Sequence, residues 1–164
     1  MMKISARAFV ALMLFALITP NTVVGSQDDT AELDAYWDDV RRTVITGDLA
    51  GMTALYHSDA VLVSESSNSS VPIQQALANW APGLARTRDG ETEANVEFRF
   101  TQRLHDETTA HETGIFRHSA EEGSEEAVVV YIHFEALMVK TDGWLMLMEY
   151  QKSPATVAEW NGAE

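Results

Sequence analysis

Gly47-Asp48-Leu49-Ala50-Gly51-Met52-Thr53-Ala54-Leu55-Tyr56-His57-Ser58-Asp59-Ala60-Val61-Leu62-Val63 is the stretch on which the fold reading turns. Gly47 closes a helical pattern and lets the chain reverse. Asp48 is placed to accept the free amides that open a second helix. Leu49, Met52, Leu55 and Tyr56 share one face of that helix. The period then changes, because Ala60-Val61-Leu62-Val63 is a short β-rich run. One passage thus contains a helix end, a helix and the entry into a sheet.

Upstream, Asp29 and Glu32 have the spacing of a capping pair. Leu33, Tyr36, Trp37, Val40 and Val44 follow at helical spacing up to Gly47. Downstream, Ser64 to Ser70 reads as a polar loop. A third helix is expected from Pro72, with Ile73, Leu77 and Trp80 as its apolar stripe and Pro82-Gly83 as its stop. The second half reads as strands. Val96, Phe98, Phe100, Gln102 and Leu104 alternate with Glu97, Arg99, Thr101 and Arg103. Thr108 to His118 and Ala127 to Lys140 are two further strands. Thr141-Asp142-Gly143 is a hairpin turn, and Trp144 to Lys152 returns from it.

The register of this hairpin decides which side chains face inward. A two-residue loop sets Val139 opposite Met146 and Glu135 opposite Tyr150. A three-residue loop with Gly143 at the bulge sets Val139 opposite Leu145. The second register gathers Val128, Val130, Ile132, Phe134, Ala136, Met138, Trp144, Met146, Met148 and Tyr150 into one apolar face, and it is the expected one. It leaves His133, Glu135, Glu149 and Gln151 on the other face, with Glu135 opposite Glu149. That juxtaposition is unfavourable unless one carboxyl is protonated or a cation lies near.

Helix–helix–strand–helix followed by long strands resembles the nuclear transport factor 2-like superfamily, and within it the SnoaL-like and ketosteroid-isomerase-like branch. The resemblance covers residues 29–152. It rests on the Gly47–Val63 passage, on Lys140-Thr141-Asp142-Gly143-Trp144, and on Ala110 and Gly114, which fall where the family has an A-x-x-x-G strand. It implies an α+β fold: a cone-shaped, curved, mixed or antiparallel sheet wrapped around three N-terminal helices, with a pocket in its mouth. In the steroid-isomerase branch the resemblance implies a carboxylate base at position 64 and a tyrosine near position 40. Those positions hold Ser64 and Val40 here, so that particular reaction is not expected.

Two other constellations remain. His133 and Glu135 are two apart on one strand and point the same way, and Glu149 lies opposite in the expected register. Together they form a candidate acid–base cluster, or a polar patch at a dimer interface or in solvent. Trp37, Tyr56, Ser64, Trp80, Met148 and Tyr150 are candidate walls of a ligand pocket, or plain core. His105, His111 and His118 are six and seven apart on strand-like sequence and share no face, so no metal site is expected. No phosphate-binding glycine loop or Gly-x-Ser-x-Gly elbow is present, and no cofactor is expected.

The chain opens Met1-Met2-Lys3-Ile4-Ser5-Ala6-Arg7, followed by an apolar run from Ala8 to Ile18 and then Pro20. This is the pattern of a secretory signal, too short for a comfortable membrane span. Residues 1–26 are therefore expected to be removed, leaving residues 27–164 as one domain in the periplasm or outside the cell. The full chain has 11 basic and 25 acidic residues, a net charge of −14. Loss of Lys3 and Arg7 leaves 9 basic residues against 25 acidic ones, a charge of −16. Such an acid excess opposes binding to nucleic acid or to anionic lipid. The chain has no cysteine, which removes disulfides, thiol catalysis and lipid attachment at cysteine. The expected partner is a small, mostly apolar molecule, with a homodimer as a further possibility.

Overall fold

Leu33, Tyr36, Trp37 and Thr43 recur at the spacing of one helical face, and all four are buried along the inward side of α1 (Gln27–Thr46). A computed structural model of the protein describes residues 27–123 and 126–163. The expected signal segment, residues 1–26, lies outside these. The helix begins at Gln27, so Asp29 falls within its first turn rather than capping it.

Gly47 adopts φ +65° between α1 and α2 (Leu49–Ala54), and Asp48 caps α2 by accepting the Gly51 amide at 2.8 Å. Tyr56 does not complete that helix; it opens β1 (Tyr56–Ser64). The Tyr36 hydroxyl donates to the Leu55 carbonyl at 3.0 Å, and the Met146 amide donates to the same oxygen at 3.0 Å. These bonds hold the start of β1 between α1 and the sheet. The polar loop is shorter than expected, because β2 (Ser69–Pro72) pairs back on β1 after Asn68 takes a positive φ of 47°.

The third helix, α3 (Ile73–Arg88), runs through Pro82 instead of stopping there. Proline removes the amide that would bond the Ala78 carbonyl. Both residues lie on the exposed side, open to solvent, while Leu84 two residues on is buried and keeps the helix docked.

The strands β3 (Thr92–His105), β4 (Thr109–Glu122), β5 (Val128–Lys140) and β6 (Trp144–Pro154) form an antiparallel run, and β6 pairs in parallel with β1. The six-stranded sheet has the order β2-β1-β6-β5-β4-β3. It is curved and unclosed, and α1 lies against its inner face, giving the expected α+β architecture.

Among the register shifts of the described residues, two β-bulges decide which side chains turn inward. Thr101 is an extra residue in β3, so that Phe100 pairs with Gly114 but Arg103 pairs with Glu112. The shift turns Arg103 inward and leaves Leu104 54% exposed, reversing the expected alternation beyond the bulge. Leu147 is likewise an extra residue in β6. Next to the turn, Val139 pairs with Leu145, as expected for the three-residue loop. Past Leu147, Ala136 faces Glu149 and Glu135 faces Tyr150.

A fourth helix among the described residues, α4 (Val157–Gly162), was not foreseen. Thr156 and Glu159 make a capping box, and Trp160 is buried on the outer face of the sheet. Arg99 lies 4.5 Å over the Trp160 ring and donates to the Trp160 carbonyl at 2.7 Å. Among the described residues no helix is long and apolar enough to cross a membrane.

Candidate functional site

A cavity of about 520 Å³ opens between the inner face of the sheet and helices α1 and α3. Its inner end is built from buried residues: Trp37 of α1, Met52 of α2, Phe134 of β5 and Met146 of β6. Val96 and Phe98 of β3 and Phe116 of β4 continue the wall, with Trp80 of α3 and Tyr56 of β1 opposite. The rings interlock: Trp37 to Phe98 is 4.5 Å, Trp37 to Phe134 is 5.5 Å and Tyr56 to Trp80 is 6.4 Å between centroids. At the rim, Arg86 of α3 and Glu122 of β4 form an ion pair at 2.6 Å.

The bulge at Leu147 gives this apolar chamber its polar groups. With one extra residue in β6, Glu149 and Gln151 turn inward and line the cavity, while Met148 and Tyr150 turn outward. The Glu149 carboxyl accepts the Tyr56 hydroxyl at 2.6 Å on Oε2 and the Gln151 amide at 2.7 Å on Oε1. Burial pushes its pKa up, while these two donors pull in the opposite direction. Burial, followed by the Glu149 charge, holds the Tyr56 and Tyr36 phenols far above the ordinary tyrosine value, so both stay as O–H donors. Across the cavity, burial lowers the pKa of His118, which favours neutral imidazole.

The expected His133–Glu135–Glu149 cluster does not form. His133 and Glu135 face the outer side of the sheet. His133 lies 3.5 Å from Glu159 of α4, and Glu135 accepts Lys152 at 2.7 Å with His111 at 3.7 Å. The hydrogen bond from Lys152 holds the Glu135 pKa below the usual carboxylate value. Met148 and Tyr150 are also outside, and the Tyr150 hydroxyl donates to Glu65 at 2.7 Å. Register puts Ser64 beside Gln151, but its hydroxyl meets that of Ser66 at 3.1 Å and it is not part of the cavity wall. Trp37, Tyr56 and Trp80 do line the cavity. The sequence reading missed Glu149, Gln151 and His118 as inward-facing groups. The signal for the first two was the unfavourable Glu135–Glu149 pair, which the bulge dissolves.

Glu112, at 0% exposure, forms a second buried polar centre behind Trp37. It accepts the Trp37 indole N–H at 2.5 Å and the Arg103 Nε, and Arg103 also donates to Asp34 at 2.5 Å. The network fixes the orientation of the Trp37 ring against the cavity.

The Glu149 carboxyl has a consequence for stability. The ordinary carboxyl value is 4.5, and the folded group keeps its proton to higher pH. The native state therefore binds more protons than the unfolded chain above that value, and stability falls as pH rises through the window. Glu149→Gln removes the cost and keeps the size and shape of the side chain. The variant is expected to melt higher than the native protein near neutral pH, with the gap closing toward about pH 4. Thermal melts at a series of pH values check this; a gap that widens on acidification contradicts it.

No protein-family pattern and no curated protein matches this chain by sequence. Solved structures do match by shape. A conserved protein from Planctomyces limnophilus superposes with a TM-score of 0.68 at 12% identity, covering 79% of this chain and 100% of that one. An NTF-2-like protein of unknown function from Shewanella oneidensis gives 0.60 at 15% identity, covering 76% and 99%. A ketosteroid isomerase-like protein from Erwinia carotovora atroseptica gives 0.54 at 13% identity, covering 77% and 93%. With its helices set in a curved six-stranded sheet and β1 parallel to β6, the chain has the nuclear transport factor 2-like fold.

Proposed function

We propose that this chain is exported, loses residues 1–26, and binds a small, mostly apolar molecule in the cavity. The observation that carries the binding is the chamber itself: about 520 Å³, walled by aromatic and aliphatic side chains, with Glu149 and Gln151 as inward polar groups. Few polar groups in a preformed apolar pocket is the usual build of a small-molecule site. Native mass spectrometry of protein purified from its own source tests both parts. The expected spectrum shows a polypeptide beginning near residue 27 and a mass increment from a retained molecule that is lost on denaturation. A full-length polypeptide removes the export reading. Absence of any increment, together with unchanged Trp fluorescence when an apolar probe such as 1-adamantanemethanol is added, removes the binding reading.

A second reading, acid–base chemistry on a small hydrophobic substrate, is favoured by one observation. A carboxyl whose pKa is raised by burial, bonded to a neutral tyrosine, faces the cavity and can exchange a proton with a molecule held there. In that reading Glu149 carries the proton transfer by itself, because His133 and Glu135 lie across the sheet from the cavity. Glu149→Gln then abolishes turnover while leaving a neutral apolar molecule bound.

A further inference from the structure

The charges that face the cavity do not balance. At the rim, Arg86 and Glu122 neutralise one another at 2.6 Å. His118 is held toward its neutral form by burial. Inside, Glu149 has only neutral partners, the Tyr56 hydroxyl and the Gln151 amide, and among the described residues no cation pairs with it. Two hydrogen bonds leave an ionised carboxylate with room for about two more donors. An unpaired carboxylate in an apolar chamber is costly, and a bound cation removes that cost.

The walls match this requirement. Trp37, Tyr56, Trp80, Phe98, Phe116 and Phe134 all face the cavity. Aromatic faces carry negative charge density and attract a cation within about 6 Å of the ring centre. The same rings accept a hydrocarbon body. A neutral ligand gains the apolar contacts but leaves the carboxylate uncompensated. An anionic ligand is repelled by it, and by a chain whose net charge is −14.

We propose that the cavity binds a lipophilic amine, as its ammonium ion, with the nitrogen against the Glu149 carboxylate and the hydrocarbon body among the aromatic rings. This rests on the reading of the cavity as a small-molecule site and names the chemical class of its occupant. The titratable groups around Glu149 are Tyr36 from α1 and Tyr56 from β1, with His118 from β4 across the cavity and the Arg86–Glu122 pair at the rim. Both tyrosines stay neutral, so Glu149 sets the pH response. Affinity for the amine rises as pH climbs through the Glu149 titration and levels off once the carboxyl is ionised.

The test compares 1-adamantanemethylamine with 1-adamantanemethanol, two probes of nearly equal shape that differ in charge. Isothermal titration of residues 27–164 is run with each probe across the pH range. The expected result is that the amine binds at least about tenfold more tightly than the alcohol near pH 8. Glu149→Gln is expected to erase the difference, with the alcohol still bound. An alcohol that binds the native protein as tightly as the amine overturns the amine proposal and leaves the apolar-ligand reading standing. Failure of both probes to bind overturns both. An amine preference that survives in Glu149→Gln overturns the assignment of the charge to Glu149. Should that variant fail to fold, the native protein still decides: an amine that binds no more tightly than the alcohol near pH 8 overturns the proposal.

Discussion

Gly47→Ala is expected to destabilise the domain by about 2–5 kcal/mol, combining about 1–2 kcal/mol for a left-handed non-glycine residue with overpacking of about 1–3 kcal/mol. Gly47 has φ +65°, and a β-carbon there lies 2.2 Å from the Leu84 carbonyl oxygen and 2.5 Å from the Arg88 amide nitrogen. Both are backbone atoms of α3, so relief requires α3 to move away from the α1–α2 corner and to open the wall that carries Trp80. Urea unfolding measures the loss. Gly83→Ala supplies the contrast, since Gly83 lies within α3 with nothing within 4 Å of its would-be β-carbon. Alanine there is expected to gain up to about 1 kcal/mol from helix propensity. Equal midpoint shifts for the two substitutions contradict the argument from close approach.

Glu112→Ala is expected to cost about 3–5 kcal/mol, the range for breaking one partner out of a buried ion pair. The loss strands the Arg103 guanidinium and the Trp37 indole N–H together, because both donate to this fully buried carboxylate. Asp34 still pairs with Arg103, but from a position 58% exposed, where the interaction is screened. A double-mutant cycle with Trp37→Phe is expected to show a coupling of about 0.5–3 kcal/mol, because the two residues share a hydrogen bond. Additivity between them removes Glu112 as the anchor of the Trp37 ring. The cavity reports the same change, since Trp37 forms part of its inner end.

What the sequence made legible follows from how local each signal is. Asp48 as a cap, the Asp142-Gly143 turn with Val139 opposite Leu145, and the α1 stripe of Leu33, Tyr36 and Trp37 are decided within a few residues, and all three are present. The fold class followed from the order of such elements. The inward set did not. Trp144-Leu145-Met146-Leu147-Met148 is apolar at every position, so alternation assigns neither parity and leaves no mark where Leu147 bulges. The Thr101 bulge is equally silent between Phe100 and Gln102, although Gly114 opposite it is a trace. A β-carbon on Gly114 would lie 2.1 Å from the Arg99 carbonyl oxygen. Pro82 misled for a different reason: its local penalty falls on an exposed turn, while the burial of Leu84 that outweighs it comes from tertiary packing.

Both bulges change the count of residues rather than their kind. In β6, the bulging of Leu147 out of the ladder decides whether Glu149 and Gln151 or Met148 and Tyr150 face the cavity. Were Leu147 drawn into the ladder instead of bulging, the two sets would exchange without any change to their side chains. The polarity of the chamber is therefore held in the reading frame of the strand. In this scaffold, a slip of one residue in the ladder is a shorter route to a wholly greasy interior than any series of substitutions.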